Sequence, residues 1–131
     1  PKGVKGKLIM NPISWFEIPV INLERAKNFY STVFQIEFEI AEIDGHPMAL
    51  FPADESGPGC SGALAQGDSY VPSVDGPRVY FQVDDAQETV ARALKLGSKL
   101  LYPVTRVSES LLVAEFSDSE GNRLAISQNI L

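Results

Sequence analysis

Few side chains in this chain could carry a reaction, so each one weighs heavily. There is one histidine, His46, and one cysteine, Cys60. A Cys₄ or Cys₂His₂ zinc site is therefore impossible, and a Ser-His-Asp triad would have to use His46. No Gly-rich phosphate loop, nucleophile elbow or HExxH is present. What remains is a set of carboxylates and guanidiniums among apolar residues. Glu17 stands in ISWFEIPV beside Trp15, Phe16, Ile18 and Pro19. Burial there would favour its protonated form and suit it to general acid/base work. The same burial would suit an ion pair with Arg78 or Arg123 that only holds two halves together. Arg78 and Arg123 could clamp a carboxylate or phosphate, or lie solvated at strand ends. Trp15, Tyr80 and Tyr102 could box a flat or cationic ligand, or simply fill an interior. Glu115 adds a second carboxylate; with Glu17 it could hold a divalent cation, although two carboxylates without a histidine are a poor donor set. His46 follows the turn pair Asp44-Gly45 and reads as a loop residue. Cys60, in GPGCSG, has no base beside it and reads as unreactive.

These residues are positioned by two runs of elements in the same order. Ile13 to Val20 reads as a strand. NLERAKNFYSTVF reads as a helix with Leu23, Ala26, Phe29, Tyr30 and Val33 on one face and Asn22 as N-cap. IEFEIAEI, from Ile36, alternates apolar and acidic residues as a half-buried strand does. Its acidic set, Glu37, Glu39 and Glu42, is the solvent face. Asp44-Gly45 marks a hairpin, and MALF from Met48 the returning strand. After the ADESGPGCSG loop, which could act as a flap over a cavity mouth, a short strand from Gly62 to Gln66 closes the first run. GDSYVPSVDGP reads as a linker over 67–77. The order then recurs: a strand from Arg78 to Val83, and a helix capped by Asp85 with Glu88 three residues on and Gly97 at its end. Strands from Lys99 to Tyr102, Leu111 to Phe116 and Asn122 to Gln128 follow. Similarity between the halves lies in pattern rather than identity. The expected class is α+β, a tandem of βαβββ modules.

Composition narrows the function classes. The 131 residues allow one full hydrophobic core but not two independent domains. A net charge of −6, from 11 Lys+Arg against 17 Asp+Glu, argues against nucleic acid or an anionic membrane surface as partner. No stretch is apolar for long enough to span a bilayer. A lone cysteine fits a reducing compartment, so the expected location is cytoplasmic.

FEIPVINLERAKNFYSTVF, VYFQVDDAQETVARALKLGSKLLYP and FSDSEGNRLAIS together resemble the vicinal oxygen chelate superfamily. That group includes glyoxalase I, extradiol dioxygenases, methylmalonyl-CoA epimerase and bleomycin- and fosfomycin-resistance proteins. The resemblance covers Ile13 to Gln128. It implies one domain over 1–131, with module one about 11–66, linker 67–77 and module two about 78–129. It also implies a curled mixed sheet with helices outside and a central cavity. Alternation along each strand then sorts the residues. Ser14, Phe16, Ile18 and Val20 face the helix, while Trp15, Glu17 and Pro19 face the cavity. Val79, Phe81 and Val83 pack on the helix, while Arg78, Tyr80 and Gln82 face inward. Leu124 and Ile126 pack outward, and Arg123, Ala125 and Ser127 point in. Metal-dependent members carry a His or Glu on each of four strands. Here those positions fall on Trp15, Arg78, Ala125 and the strand from Gly62 to Leu64, none of which offers a donor side chain.

The expected function is binding of a small organic molecule without a metal or other cofactor, as in the bleomycin-resistance proteins. The alternatives are a lyase, isomerase or dioxygenase-type enzyme with Glu17 as acid/base, with or without a relocated divalent metal, and a structural module whose cavity fills itself. The expected ligand contacts are Trp15, Tyr80, Gln82, Arg78, Arg123 and Glu115. A homodimer is the expected assembly.

Overall fold

The computed structural model describes residues 11–131. Strand β1 (Phe16–Val20) leads into helix α1 (Leu23–Phe34), followed by β2 (Glu39–Ile43), β3 (His46–Leu50) and β4 (Gly62–Gln66). The second module repeats this with β5 (Tyr80–Gln82), α2 (Ala86–Lys95), β6 (Leu100–Ser108), β7 (Leu111–Ser117) and β8 (Arg123–Asn129). The strand orders are β1-β4-β3-β2 and β5-β8-β7-β6. In each, the first strand runs parallel to the last and the others pair antiparallel. The α+β class and the βαβββ tandem hold. The sheets, however, are two open four-stranded sheets rather than one curled one.

The helices start where their caps say they should. Asn22 Oδ1 accepts from the Arg25 N–H at 3.0 Å, and Asp85 Oδ1 from the Glu88 N–H at 3.0 Å. Ala26, Phe29, Tyr30 and Val33 form the buried stripe of α1; Ala86, Thr89, Val90 and Ala93 form that of α2. The capping box is only half made, since the Glu88 side chain pairs with Arg92 at 3.6 Å instead. Gly97, at φ +92°, ends α2, and the Ser98 N–H returns to the Ala93 carbonyl at 3.1 Å. Helix α1 ends on Gln35 at φ 57° without a glycine to signal it.

Strand ends shift from the sequence expectation. Regular pairing of β1 begins at Phe16 and of β2 at Glu39, later than the apolar runs suggest. Strand β6 runs on through Pro103 to Ser108. It can do so because it is an edge strand whose register shifts between Tyr102 and Thr105, so the missing N–H breaks no central ladder. Gly62 has the opposite role. A Cβ there would lie 2.1 Å from the Phe16 carbonyl oxygen, so only glycine lets β4 lie this close to β1.

One core spans both modules. Phe29, Phe34, Phe51 and Phe81 pack round the fully buried Tyr30, Phe16 and Phe38 pack against Phe51, and the Phe34 and Phe81 centroids lie 4.7 Å apart. The seam is fastened by the turn between β7 and β8. Glu120 Oε1 accepts from the backbone N–H groups of Ile21 and Asn22 at 2.9 and 2.8 Å, and Arg25 Nε donates to Oε2 at 2.7 Å. The Tyr30 hydroxyl donates to Asp118 at 2.7 Å, and the Asn122 amide donates both to Asp118 and to the Pro19 carbonyl, each at 2.8 Å. Each helix also receives a glutamine from its own module: Gln66 takes the Leu23 N–H and Gln128 the Ala86 N–H, at 2.8 and 2.7 Å.

Desolvation alone would push the Glu120 carboxyl up. The Arg25 guanidinium, the Asn22 and Ile21 amides and the Ser119 hydroxyl outweigh it and hold the group down to about 2. A carboxylate depressed in the folded state stabilises the fold above its unfolded value and loses that contribution as pH falls. Stability is therefore expected to fall between about pH 5 and pH 2, by up to ~3 kcal/mol from this group. Glu120→Gln should flatten that part of a urea-midpoint-against-pH curve and lower stability at pH 7. An acid limb of unchanged slope in the variant would contradict this.

Candidate functional site

Alternation on the second sheet turns Phe116, Leu124 and Ile126 toward the helices and leaves a row across the other face. Tyr80 pairs with Ala125, Ala125 with Glu115, and Glu115 with Tyr102. Glu115 is buried, and two arginines meet it. Arg78 Nε lies 3.0 Å from Oε1, and Arg123 Nε donates to the same oxygen. The expected partner of these arginines was Glu17; the structure gives both to Glu115 instead. Both guanidiniums are part-exposed and engage Glu115 through Nε, leaving Nη donors that could receive an anion.

Glu17 sits on the other side of the seam and is exposed, so the burial expected from its apolar neighbours is absent. Its strand lies at the edge of the first sheet, where the pattern of the strand shows the face but not whether anything covers it. The Tyr70 hydroxyl donates to Oε1 at 2.7 Å and the Trp15 indole N–H to Oε2 at 3.1 Å. That hydrogen bond holds the Tyr70 phenol above its ordinary value, with partial desolvation adding to it. His46 packs edge-on against Tyr70 with centroids 5.6 Å apart, so it is a half-buried wall rather than a free loop residue.

Between β1 and the β5–β8 pair lies a cleft of about 310 Å³ that Glu17 and Arg123 both line, together with Pro19, Val71, Pro77 and Val79. The segment expected to be a plain linker thus supplies walls as well as Tyr70. Ser73 in it is tied down by its N–H to Asn122 Oδ1 at 2.9 Å. Sequence reasoning missed Tyr70 and Val71, whose only signal was the presence of large side chains in a Gly/Pro/Ser-rich stretch. Trp15, Tyr80, Gln82 and Tyr102 lie outside this cleft. The three aromatics are exposed at 44%, 51% and 38%, and no ring pair joins them into a box. Trp15 instead borders a separate hollow of about 540 Å³ under the loop from Pro52 to Ser61, which also carries the exposed Cys60.

The family metal does not fit the residues present. The four positions that the resemblance implies for it carry Trp15, Arg78, Ala125 and the Gly62-Ala63-Leu64 stretch of β4, whose side chains donate nothing to a cation. The two nearby carboxylates are already engaged, Glu115 by two arginines and Glu17 by Tyr70 and Trp15. Among the described residues, no group of three or more His, Cys, Asp and Glu side chains converges on a point.

No protein-family model matches the chain. A glyoxylase-like domain-containing protein from Didymella fabae is 31% identical over 123 residues, covering 87% of this chain and 91% of that protein. Among solved structures, a glyoxalase family protein from Bacillus cereus superposes with a TM-score of 0.72 at 18% identity, covering 97% of this chain and 99% of that one. A glyoxalase/bleomycin resistance protein from Streptomyces gives 0.67 at 22% identity, over 88% and 98% of the two chains. An antibiotic binding protein from Streptomyces gives 0.58 at 25% identity, over 89% and 94%. With its paired βαβββ modules and a relative aligned along nearly its whole length, the chain belongs to the glyoxalase-like proteins of the vicinal oxygen chelate superfamily.

Proposed function

We propose that the chain binds a small organic molecule in the seam cleft and does so without the family metal. The observation that carries this reading is the donor set: Trp, Arg and Ala stand where metal-dependent relatives need His or Glu. The cleft itself supports it, with apolar walls from Pro19, Val71, Pro77 and Val79 and one charge of each sign, Glu17 and Arg123, at fixed places. An antibiotic binding protein among the structural neighbours fits the same use of the fold. Arg78 and Glu115 then act on the cleft only through Arg123, while Trp15 and Gln82 line other hollows and Tyr80 lies on the open sheet face. A homodimer belongs to the proposal, because the exposed Tyr80 and Tyr102 flank Glu115 on a sheet face that a second copy would cover.

A second reading keeps Glu17 as a general base in an isomerase- or lyase-type reaction. It is favoured by one feature: Glu17 is exposed to the cleft, and its Tyr70 partner is a proton donor within hydrogen-bond distance.

Elemental analysis of the purified protein should find well under one equivalent of divalent metal per chain, and chelator dialysis should leave the melting temperature unchanged. A stoichiometric metal whose removal lowers that temperature would overturn the first reading. Gly76 lines the cleft, and a Cβ there meets nothing within 4 Å, so Gly76→Phe should plug the cleft without straining the fold. In a thermal-shift screen of flat aromatics and small carboxylic acids, compounds that stabilise the wild type should lose their effect on this variant. Glu17→Gln should leave those shifts largely intact. If it instead removes turnover of a cleft-binding substrate by two orders of magnitude or more, the base reading takes precedence.

A further inference from the structure

We propose that the hollow between the C-terminal end of α1 and the N-terminal end of α2 is a second binding site, which takes a small organic cation with an aromatic or alkyl body. The hollow measures about 430 Å³ and shares no lining residue with the seam cleft. It lies on the helix side of the sheets, and the proposal does not depend on what the seam cleft binds.

The floor is aromatic. Phe34 and Phe51 flank Phe81, with centroids 4.7 and 5.5 Å away, and Ile36 and Val83 complete it, part-exposed. Apolar surface left open in this way gains from covering by an apolar body. The rim is acidic. Asp84, Asp85 and Glu88 stand there against a single cation, Arg92. Arg92 is already committed: its Nε donates to the Val33 carbonyl at 2.9 Å, and Nη1 lies 3.6 Å from Glu88. Asp85 caps α2 through Oδ1. Asp84 is exposed and forms no ion pair among the described residues.

Charge decides which ligand fits. A helix N-terminus attracts anions through free amides, but at α2 Gln128 takes the Ala86 N–H and Asp85 takes the Glu88 N–H. The three carboxylates repel an anion further. Phe34 and Gln35 bring the C-terminal end of α1, the negative end of its dipole, to the wall of the same hollow. An aromatic floor under a carboxylate rim is the arrangement that holds an ammonium head above and an apolar body below. The surplus carboxylate also explains why a neutral compound of the same shape should bind worse.

The test is a backbone amide NMR titration with benzyltrimethylammonium chloride, with benzyl alcohol and phenylacetate as neutral and anionic comparisons. The cation should produce saturable shifts at Gln35, Ile36 and from Val83 to Thr89, and leave Ile18, Val79 and Leu124 in the seam unmoved. Phenylacetate should move none of the first group. Asp84→Asn should weaken the cation about fivefold and Asp84→Lys should abolish saturation. Asp84 is exposed and caps no helix, so both variants should melt as the wild type does. Absence of saturable shifts at the hollow, equal binding of benzyl alcohol, or unchanged binding in Asp84→Lys would each overturn the proposal.

Discussion

Glu120 holds the segment that leads from β1 into α1. The amides of Ile21 and the N-cap Asn22, just ahead of the helix, are met by a carboxylate from the turn before the last strand of module two. Asp118 and Asn122, on the same turn, take the Tyr30 hydroxyl and give to the Pro19 carbonyl. Position and charge are settled together: the turn fixes how β1 lies beside β5 and β8, and so fixes the width of the cleft between them. The segment from Gly67 to Pro77 is anchored to the same turn through Ser73. A shift of this turn would therefore open or close the cleft while leaving either sheet intact.

The arginines show how the same scaffold can exchange one chemistry for another. In a metal-dependent relative, inward-facing donors gather round a cation. Here Arg78, at a position that the resemblance implies for a ligand, and Arg123 bring two positive charges that meet the single carboxylate of Glu115 in the middle of the face. A carboxylate this buried needs a cation beside it, so losing both guanidiniums would leave its charge uncompensated in a desolvated place, while losing one leaves a single ion pair. The Nη groups of the two arginines make no side-chain hydrogen bond among the described residues and retain the donors for planar recognition of a carboxylate.

Much of the architecture was legible in the sequence because its signals are local. Asn22, Asp85, Gly97 and the Asp44-Gly45 pair each act within a few residues, and the structure uses all of them as read. The end of α1 was not legible, since Gln35 takes the left-handed conformation without being glycine. The extent of β6 was hidden by Pro103, which an edge strand tolerates. For the site, alternation turned Arg78, Tyr80 and Arg123 toward one cavity and Val79 and Leu124 away from it, whereas of these Arg123, Val79 and Leu124 line the cleft. It could not tell that Glu17 lies open to solvent, or that Glu115 rather than Glu17 meets the arginines. Those facts depend on pairings between distant segments. Tyr70 belongs to the same class: its partner, Glu17, lies on another element, and nothing near either residue announces the contact.

The placement of Glu120 has a bearing on how the chain is made. Strands β1 to β4 and helix α1 are complete in sequence once Gln66 has been synthesised, and Gln66 already offers the Leu23 amide an acceptor. The amides of Ile21 and Asn22 must wait for a residue nearly a hundred positions later. Closing so long a loop is slow relative to local helix and hairpin formation. On a ribosome, module one would thus emerge with its hairpin and helix formed and its leading edge loose, and would become rigid only as the last turn arrives. The order of synthesis has the cleft take shape after the hairpin and helix of module one.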